Sequence, residues 1–426
     1  MAIEKTAKKE TYKYIQSQKT MERASKVVPC GVYGHLGPAE GCMIPTSAYP
    51  FFLSRAKGSE MWDADGNRFI DYMCGYGPNV LGYCDPEVDE AANKQMTLGN
   101  CTTLPNTIMV DFAELLTDTV RKDWAFFAKN GGDVTQLSIM VARAHTGKKK
   151  IIFVNGYYHG VAPWTQKPDS PGVLPEDCRN SIYVNFNDLD QLTKVISEQK
   201  DKIACFIATP YMHGNFKDNV LPEDGYWAGV RKLCTENNIV LIIDDIRAGF
   251  RLNLHGSDAH YGFEADLICF CKAIANGYNV SALCGKNFLK PSVSSIMYTG
   301  SYWMSAVPFA AGLVNIKKLI DADACTYFKK MGTRLTDGLT KIAATKKVNL
   351  SISGEPAMFY LMIKDDNSLL LHQEWIAECV KRGVFITNHH NHFINLSLTE
   401  ELVDETLVIC DEAMDVMVKN HPEVYN

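Results

Sequence analysis

From residue 85 onward, short apolar runs alternate with segments of helical spacing. The runs are Trp124–Ala128, Ile151–Val154, Ile182–Asn185, Ile203–Ala208, Ile239–Asp244 and Leu267–Cys271. Helices are predicted over 86–98, 107–120, 133–146, 188–199 and 223–237. This alternation predicts an α/β fold: a mostly parallel central sheet with helices on both faces. A helix over 305–321 leads out of it. Residues 325–426 read as α+β, with strands at Val348–Ile352, Ala357–Ile363, Val384–Thr387 and Phe393–Leu396 and helices over 367–381 and 400–418. Upstream, residues 1–30 have helical spacing and residues 31–50 are rich in Gly and Pro. A meander then turns at Asp65-Gly66-Asn67, a hairpin signal. The expected division is 1–75 (helix, loop and meander), 76–310 (large domain) and 311–426 (small C-terminal domain).

Two of the buried runs end in an ionisable residue. Ile239–Asp244 ends in Asp244, and Leu267–Cys271 leads directly into Lys272. A charge at the end of a buried strand is expensive unless something pairs with it. An acid and an amine at the carboxyl ends of successive parallel strands point to a site there. One chemistry needs both: an aldehyde cofactor bound through the amine, with its ring nitrogen kept protonated by the acid. A desolvated lysine has a lowered pKa and attacks carbonyls at neutral pH. Asp245 points the other way along the strand and reads as structural.

Bulk properties exclude other classes. The 426-residue chain has a formal net charge of −6, with Lys148–Lys150 its only short basic run, so nucleic acid is not an expected partner. No apolar run is long enough to span a membrane. The fourteen cysteines are scattered, often inside apolar runs, without metal-ligand spacing. Reduced core thiols in a cytoplasmic protein, with no metal site, are expected.

A phosphate site is expected at Asn130, Gly131 and Gly132. These residues lie between the run Trp124–Ala128 and a helix, where backbone N–H groups and the helix dipole attract an anion. Asp133 would repel a phosphate it faced, so it is assigned to capping. A flat ring also needs a flat neighbour. Tyr158 and His159 follow the run Ile151–Val154, and either can stack on a cofactor.

These motifs together resemble a class III pyridoxal-phosphate-dependent aminotransferase, of the branch near glutamate-1-semialdehyde 2,1-aminomutase, over nearly the whole chain. The stretch 61–71 (MWDADGNRFID) resembles the family's N-terminal meander. Residues 129–135 (KNGGDVT) stand where the family has NSGTEAT. Residues 157–160 (YYHG) match CYHG, residues 244–251 (DDIRAGFR) match DEVxTGFR, and residues 272–278 (KAIANGY) match KALGNGY. The resemblance implies the type I, aspartate aminotransferase-like fold and pyridoxal 5'-phosphate as cofactor. It implies Lys272 as the Schiff-base lysine, Asp244 on the pyridine nitrogen and Tyr158 as the stacking residue. It also implies an obligate homodimer with shared active sites, in which Ser301, standing where the family has Gly-Thr, reaches the phosphate from the second subunit.

Departures from the family fall at the substrate. The aminomutase branch has PGGVNSPVR near its start, and its arginine binds a carboxylate; here residues 29–37 are PCGVYGHLG, with Gly37 at that position and His35 close by. The family's Ser-Trp turn is Gly75-Tyr76, and its Glu-Pro is Thr209-Pro210. Arg247 and Arg251 remain as candidate carboxylate partners. The candidate substrate residues are therefore His35, Tyr76 and Arg247. The expected reaction moves an amino group from an amine or amino acid to a keto or aldehyde acceptor. An aminomutase or a racemase/epimerase would use the same lysine and aspartate. A cofactor-binding regulatory module is the non-enzyme alternative, and the short, non-basic N-terminal segment argues against it.

Overall fold

The computed structural model describes residues 11–29, 31–32, 48–156, 158–168 and 170–425. The sheet expected from the alternation is present, with seven strands. In chain order these are β4 (Trp124–Ala128), β5 (Lys150–Val154), β6 (Ser181–Val184), β7 (Ile203–Ala208), β8 (Val240–Asp244), β9 (Leu267–Phe270) and β10 (Ser281–Gly285). Their spatial order is β4-β10-β9-β8-β7-β5-β6. The pairs from β9 to β6 are parallel, and β10 runs antiparallel to both neighbours. Strand β10 was not expected from the sequence. Its residues, SALCG, are mostly small and include no β-branched or aromatic side chain, so the usual strand signal is missing.

Alternate residues of each central strand enter two separate cores. Ile152, Phe206, Leu241 and Ile243 belong to one, and Ile151, Ile207, Val240 and Ile242 to the other. That is the period-two pattern of a sheet covered on both faces. Helix α4 (Gly131–Thr146) supplies Val134, Leu137 and Val141 to the second core. The first receives α2 (Pro86–Leu98), α3 (Ile108–Val120), α5 (Leu189–Glu198), α6 (Tyr226–Glu236) and α7 (Ala306–Asp321).

Strands β1 (Leu53–Lys57), β2 (Glu60–Asp63) and β3 (Arg68–Asp71) form the expected meander. Asp63 closes its turn by accepting from the backbone N–H of Asp65 (2.9 Å) and of Asn67 (2.8 Å). The meander does not end there. Strand β13 (Val384–Phe385), from the C-terminal part of the chain, pairs parallel with β3. The remaining strands, β11 (Leu350–Glu355), β12 (Met358–Ile363) and β14 (His392–Phe393), make an antiparallel three-stranded sheet. It packs with α8 (Ala324–Thr345), α9 (Leu370–Val380) and α10 (Glu400–Asn420). The described part of the N-terminal helix, α1 (Ile15–Ala24), follows Tyr12, whose hydroxyl donates to the Arg68 carbonyl (2.7 Å) and whose N–H donates to Lys381 (2.9 Å).

Arg251 joins the two ends of the chain. It is 1 % exposed and has no carboxylate partner among the described residues. It donates instead to the backbone carbonyls of Ile394 (3.1 Å) and Gly77, and its guanidinium lies 4.8 Å from the centre of the Phe393 ring. Burial pushes its pKa down to about 10, which still leaves a cation at neutral pH. It is a fold residue, not the substrate-carboxylate partner the sequence allowed. Truncation by Arg251→Ala leaves two buried carbonyls without donors. It should cost on the order of 3 kcal/mol, read as a lower urea midpoint than that of the unmodified protein.

Candidate active site

The site forms where β5, β8 and β9 end. The run VLIID puts Asp244 at the last position of β8, 4 % exposed. Its Oδ1 accepts from the Ile246 N–H (3.2 Å), and its Oδ2 lies 2.6 Å from Nδ1 of His159. His159 is itself buried, and its carbonyl accepts from the Thr135 hydroxyl (2.5 Å). Of the two aromatic candidates in 157–160, His159 is thus taken up by Asp244. Tyr158 keeps an exposed ring, 65 % accessible, at the same end of the sheet. Asp245 faces away and accepts from the Ser257 N–H (2.9 Å) and hydroxyl (2.5 Å). Burial pushes its carboxyl up to about 7.

Lys272 follows β9 at the start of a single 3₁₀ turn, Lys272–Ile274, with φ +42°. The left-handed region costs a non-glycine residue about 1 kcal/mol or more and persists only where the surroundings hold it. Here they do. Asn315 donates to the Ala273 carbonyl (2.8 Å), and Asn276 accepts from the Leu81 N–H and donates to the Gly82 carbonyl (2.9 Å each). Burial, then the Arg247 cation, push the Lys272 amine down to about 7. A Cβ added at Gly77 would lie 3.6 Å from the Lys272 Cδ, so the turn carrying Tyr76 runs directly past the lysine stem. Tyr76 has φ +67°, and its ring meets the His390 ring edge-on at 5.1 Å.

The phosphate turn is packed between the other elements. Asn130 precedes α4, and a Cβ on Gly131 would meet the Ile246 side chain at 2.6 Å. Gly132 and Gly160 pack backbone to backbone: a Cβ on Gly160 would lie 2.6 Å from the Gly132 Cα. The first-turn N–H groups of Gly131 and Gly132 have no intrahelical acceptor. The Asp133 carboxylate folds back onto the N–H of Asn130 (2.8 Å) and of Lys129 (3.2 Å). It caps the helix, as expected. A desolvated amine, a fixed buried carboxylate and a glycine-lined helix N-terminus are the donor set that pyridoxal phosphate requires.

Other sequence candidates are placed differently. Arg247 lies inside the cluster, and its Nη1 donates to Asn391 Oδ1 (2.9 Å). Ser301 is on an exposed turn, where its carbonyl accepts from the Cys101 thiol (3.4 Å). None of its described contacts reaches the Lys272 cluster of the same chain. His35 lies outside the described residues, as do Tyr33 and Gly37. Sequence reasoning missed the 388–392 segment, NHHNH, whose side chains are all buried. Five consecutive polar residues between two apolar runs carried the signal, since burying them requires partners.

In the cofactor-free protein, labelling of Lys272 by an amine-directed reagent should rise through about pH 7, while surface lysines follow near 10.5. Peptide mass spectrometry across a pH series measures this. Because the folded state binds this proton less tightly than the unfolded state, the group's cost to stability is full below about 7. It is relieved as pH climbs toward 10.5.

Comparison with known proteins places the chain in a family. The family model described as Aminotransferase class-III matches residues 44–419. The chain is 38 % identical over 400 residues to an aminopentol aminotransferase of Sphingopyxis macrogoltabida, covering 94 % of each. It is 30 % identical over 419 residues to a glutamate-1-semialdehyde 2,1-aminomutase of Methanothrix thermoacetophila, covering 92 % of this chain and 94 % of that one. Among solved structures, the PLP internal aldimine form of the FumI protein of Sphingopyxis sp. MTA144 superposes with a TM-score of 0.93. The two are 37 % identical, with 97 % of this chain and 98 % of that one covered.

Proposed function

The chain belongs to the class III aminotransferase family and has its type I fold and its cofactor, pyridoxal phosphate; from that premise we propose which of its residues carry out the amino transfer. The observation that carries the reading is the desolvated Lys272 amine at the end of β9, beside Asp244 fixed by His159. When bound, the cofactor supplies an aldehyde that receives the amino group and a ring that withdraws electrons from the substrate carbon. Lys272, free of its proton near neutral pH, takes the proton from that carbon and returns it. Asp244 keeps a cationic ring nitrogen in place, and the His159 contact holds the carboxylate in its orientation. Gly131 and Gly132 hold the phosphate through backbone N–H groups, beside Asn130, whose own N–H is bonded to Asp133, and Tyr158 supplies the flat wall.

In this reading the 76–310 segment binds the cofactor and the 311–426 segment supplies the far wall of the substrate pocket. Tyr76 and Arg247 line that pocket, with His35 a further sequence candidate. A homodimer completes the site, with Ser301 reaching the phosphate of the other subunit. In support, Leu104, Met297, Tyr302 and Met304 are large apolar side chains left exposed on or near the Ser301 surface. No described helix is long and apolar enough to cross a membrane. The described cysteines are all free, which fits the reducing cytoplasm. We propose intermolecular transfer from an amine to a carbonyl acceptor, not an internal shift. The aminopentol aminotransferase relative supports this, as does glycine at position 37 where the aminomutase branch has its arginine.

Lys272→Ala should lower turnover by at least about 10³-fold, and Asp244→Asn by about 10²-fold or more. Both are read in an amine-donor assay with and without an added keto acid. Product formed by the unmodified protein over many turnovers without any acceptor, beyond the one equivalent per site that a transferase yields, would replace the transferase reading with a mutase or racemase.

A further inference from the structure

Asp71 is a buried carboxylate that the chemistry above does not use. It ends β3, is 3 % exposed and has no cationic partner among the described residues. Neutral donors hold it instead. Its Oδ1 accepts from the Met73 N–H (2.8 Å), and its Oδ2 accepts from the Cys74 N–H (3.0 Å) and the Tyr83 hydroxyl (2.6 Å). Tyr83 is itself pinned, exchanging backbone hydrogen bonds with Gly58 (2.7 and 2.8 Å). Burial raises the pKa of the carboxyl, and the three donors oppose that shift. A dry carboxylate is costly, and these bonds offset the cost.

The segment that Asp71 caps has an unusual backbone. Cys74, Gly75, Tyr76 and Gly77 have φ of +49°, +66°, +67° and +103°, the longest left-handed run among the described residues. Side chains disfavour this region, so Cys74 and Tyr76 stay in it only where the surroundings hold them. Asp71 grips the start of the run, and Arg251 grips its end by donating to the Gly77 carbonyl. Between them the Gly77 N–H donates to the Met73 carbonyl (3.0 Å), and the Asn79 side chain donates to the Cys74 carbonyl (3.1 Å). The run ends against the stem of the reactive amine. Gly77 lies between Lys272 and Phe393: an added Cβ would stand 3.6 Å from the Lys272 Cδ and 3.2 Å from the Phe393 ring.

Lys272 carries its amine on a flexible four-carbon stem. An amine free to wander on such a stem seldom meets a carbonyl at the right distance and angle. Backbone packed against the stem restricts its rotamers. We propose that Asp71 is a positioning residue for Lys272: its carboxylate fixes the left-handed turn Cys74–Gly77, and that turn holds the lysine stem so that Nζ meets the aldehyde of the cofactor. This deepens the reading of Lys272 as the cofactor lysine and rests on it. In the attachment a C=N bond forms between Nζ and the aldehyde carbon, and the aldehyde oxygen leaves as water. Asp71 takes no part in that exchange.

Two forms of the cofactor separate the placement of the lysine from the integrity of the pocket. Pyridoxal phosphate bonds to Lys272, whereas pyridoxamine phosphate has no aldehyde and can only bind. Cofactor-free, full-length protein is mixed with each. Attachment is followed by the visible band, with borohydride reduction and peptide mass spectrometry to identify Lys272; the Kd for pyridoxamine phosphate is measured by calorimetry. Asp71→Asn keeps the shape but presents a donor where one carboxylate oxygen accepts. It should slow attachment by about tenfold or more while leaving the pyridoxamine phosphate Kd within about twofold. Tyr83→Phe, which removes one of the three bonds, should slow attachment about threefold, again with little change in that Kd. Attachment at the unmodified rate in Asp71→Asn would overturn the proposal. So would equal losses in attachment rate and in pyridoxamine phosphate affinity, which would make Asp71 a fold residue only. Should circular dichroism show that Asp71→Asn does not fold, Tyr83→Phe is judged by the same two criteria. If the unmodified protein binds pyridoxamine phosphate yet traps no pyridoxal phosphate at Lys272, the reading of Lys272 as the cofactor lysine fails first and this inference with it.

Discussion

Desolvation of one amine governs the architecture of this protein. Lys272 must be dry enough to lose its proton near neutral pH, yet anchored on a backbone that does not move. A strand end in the middle of a sheet covered on both faces meets both demands. The neighbours then follow from the cost of that burial. A carboxylate, Asp244, comes from the adjacent strand, and an imidazole, His159, comes from the end of β5 to hold it. The left-handed Lys272 backbone is fixed by Asn315 and Asn276, so strain at the reacting residue is offset by hydrogen bonds from α7 and from the turn itself.

The cluster of candidate residues at the strand ends could be anticipated from the sequence because its signals are local. Each element is a short apolar run followed within a few residues by its candidate group: Asp244 after β8, Lys272 after β9, Asn130–Gly132 after β4, Tyr158 and His159 after β5. Parallel-sheet topology then brings all four strand ends to one edge without further information. The assignment of Asp133 to capping was legible for the same reason, since its partners lie three and four residues away. What local reasoning could not settle was the choice between Tyr158 and His159. That choice depends on Asp244, 85 residues downstream of His159.

The fold itself failed to be legible where pairing is long-range or composition is mute. Strand β10 has no β-branched or aromatic residue and is a strand because two neighbours demand it. Strand β13 is two residues long and extends a meander more than three hundred residues earlier in the chain. Arg251 looked like a carboxylate receptor from its place after Asp244, yet its partners are backbone carbonyls from both ends of the chain. No spacing rule reports such a contact.

This division explains why the cofactor and the substrate differ so much in how far the sequence reveals them. In the reading proposed above, the substrate wall draws on segments around Tyr76, Arg247 and His390, from distant parts of the chain. Each alone is an ordinary aromatic or polar loop residue. Their meaning comes from the Asn219–Asn391 bond and the Arg251 contacts, which press the C-terminal sheet against the strand ends. The chemistry is therefore set by the sheet, and the selection of what undergoes it by the loops the C-terminal segment brings to that edge.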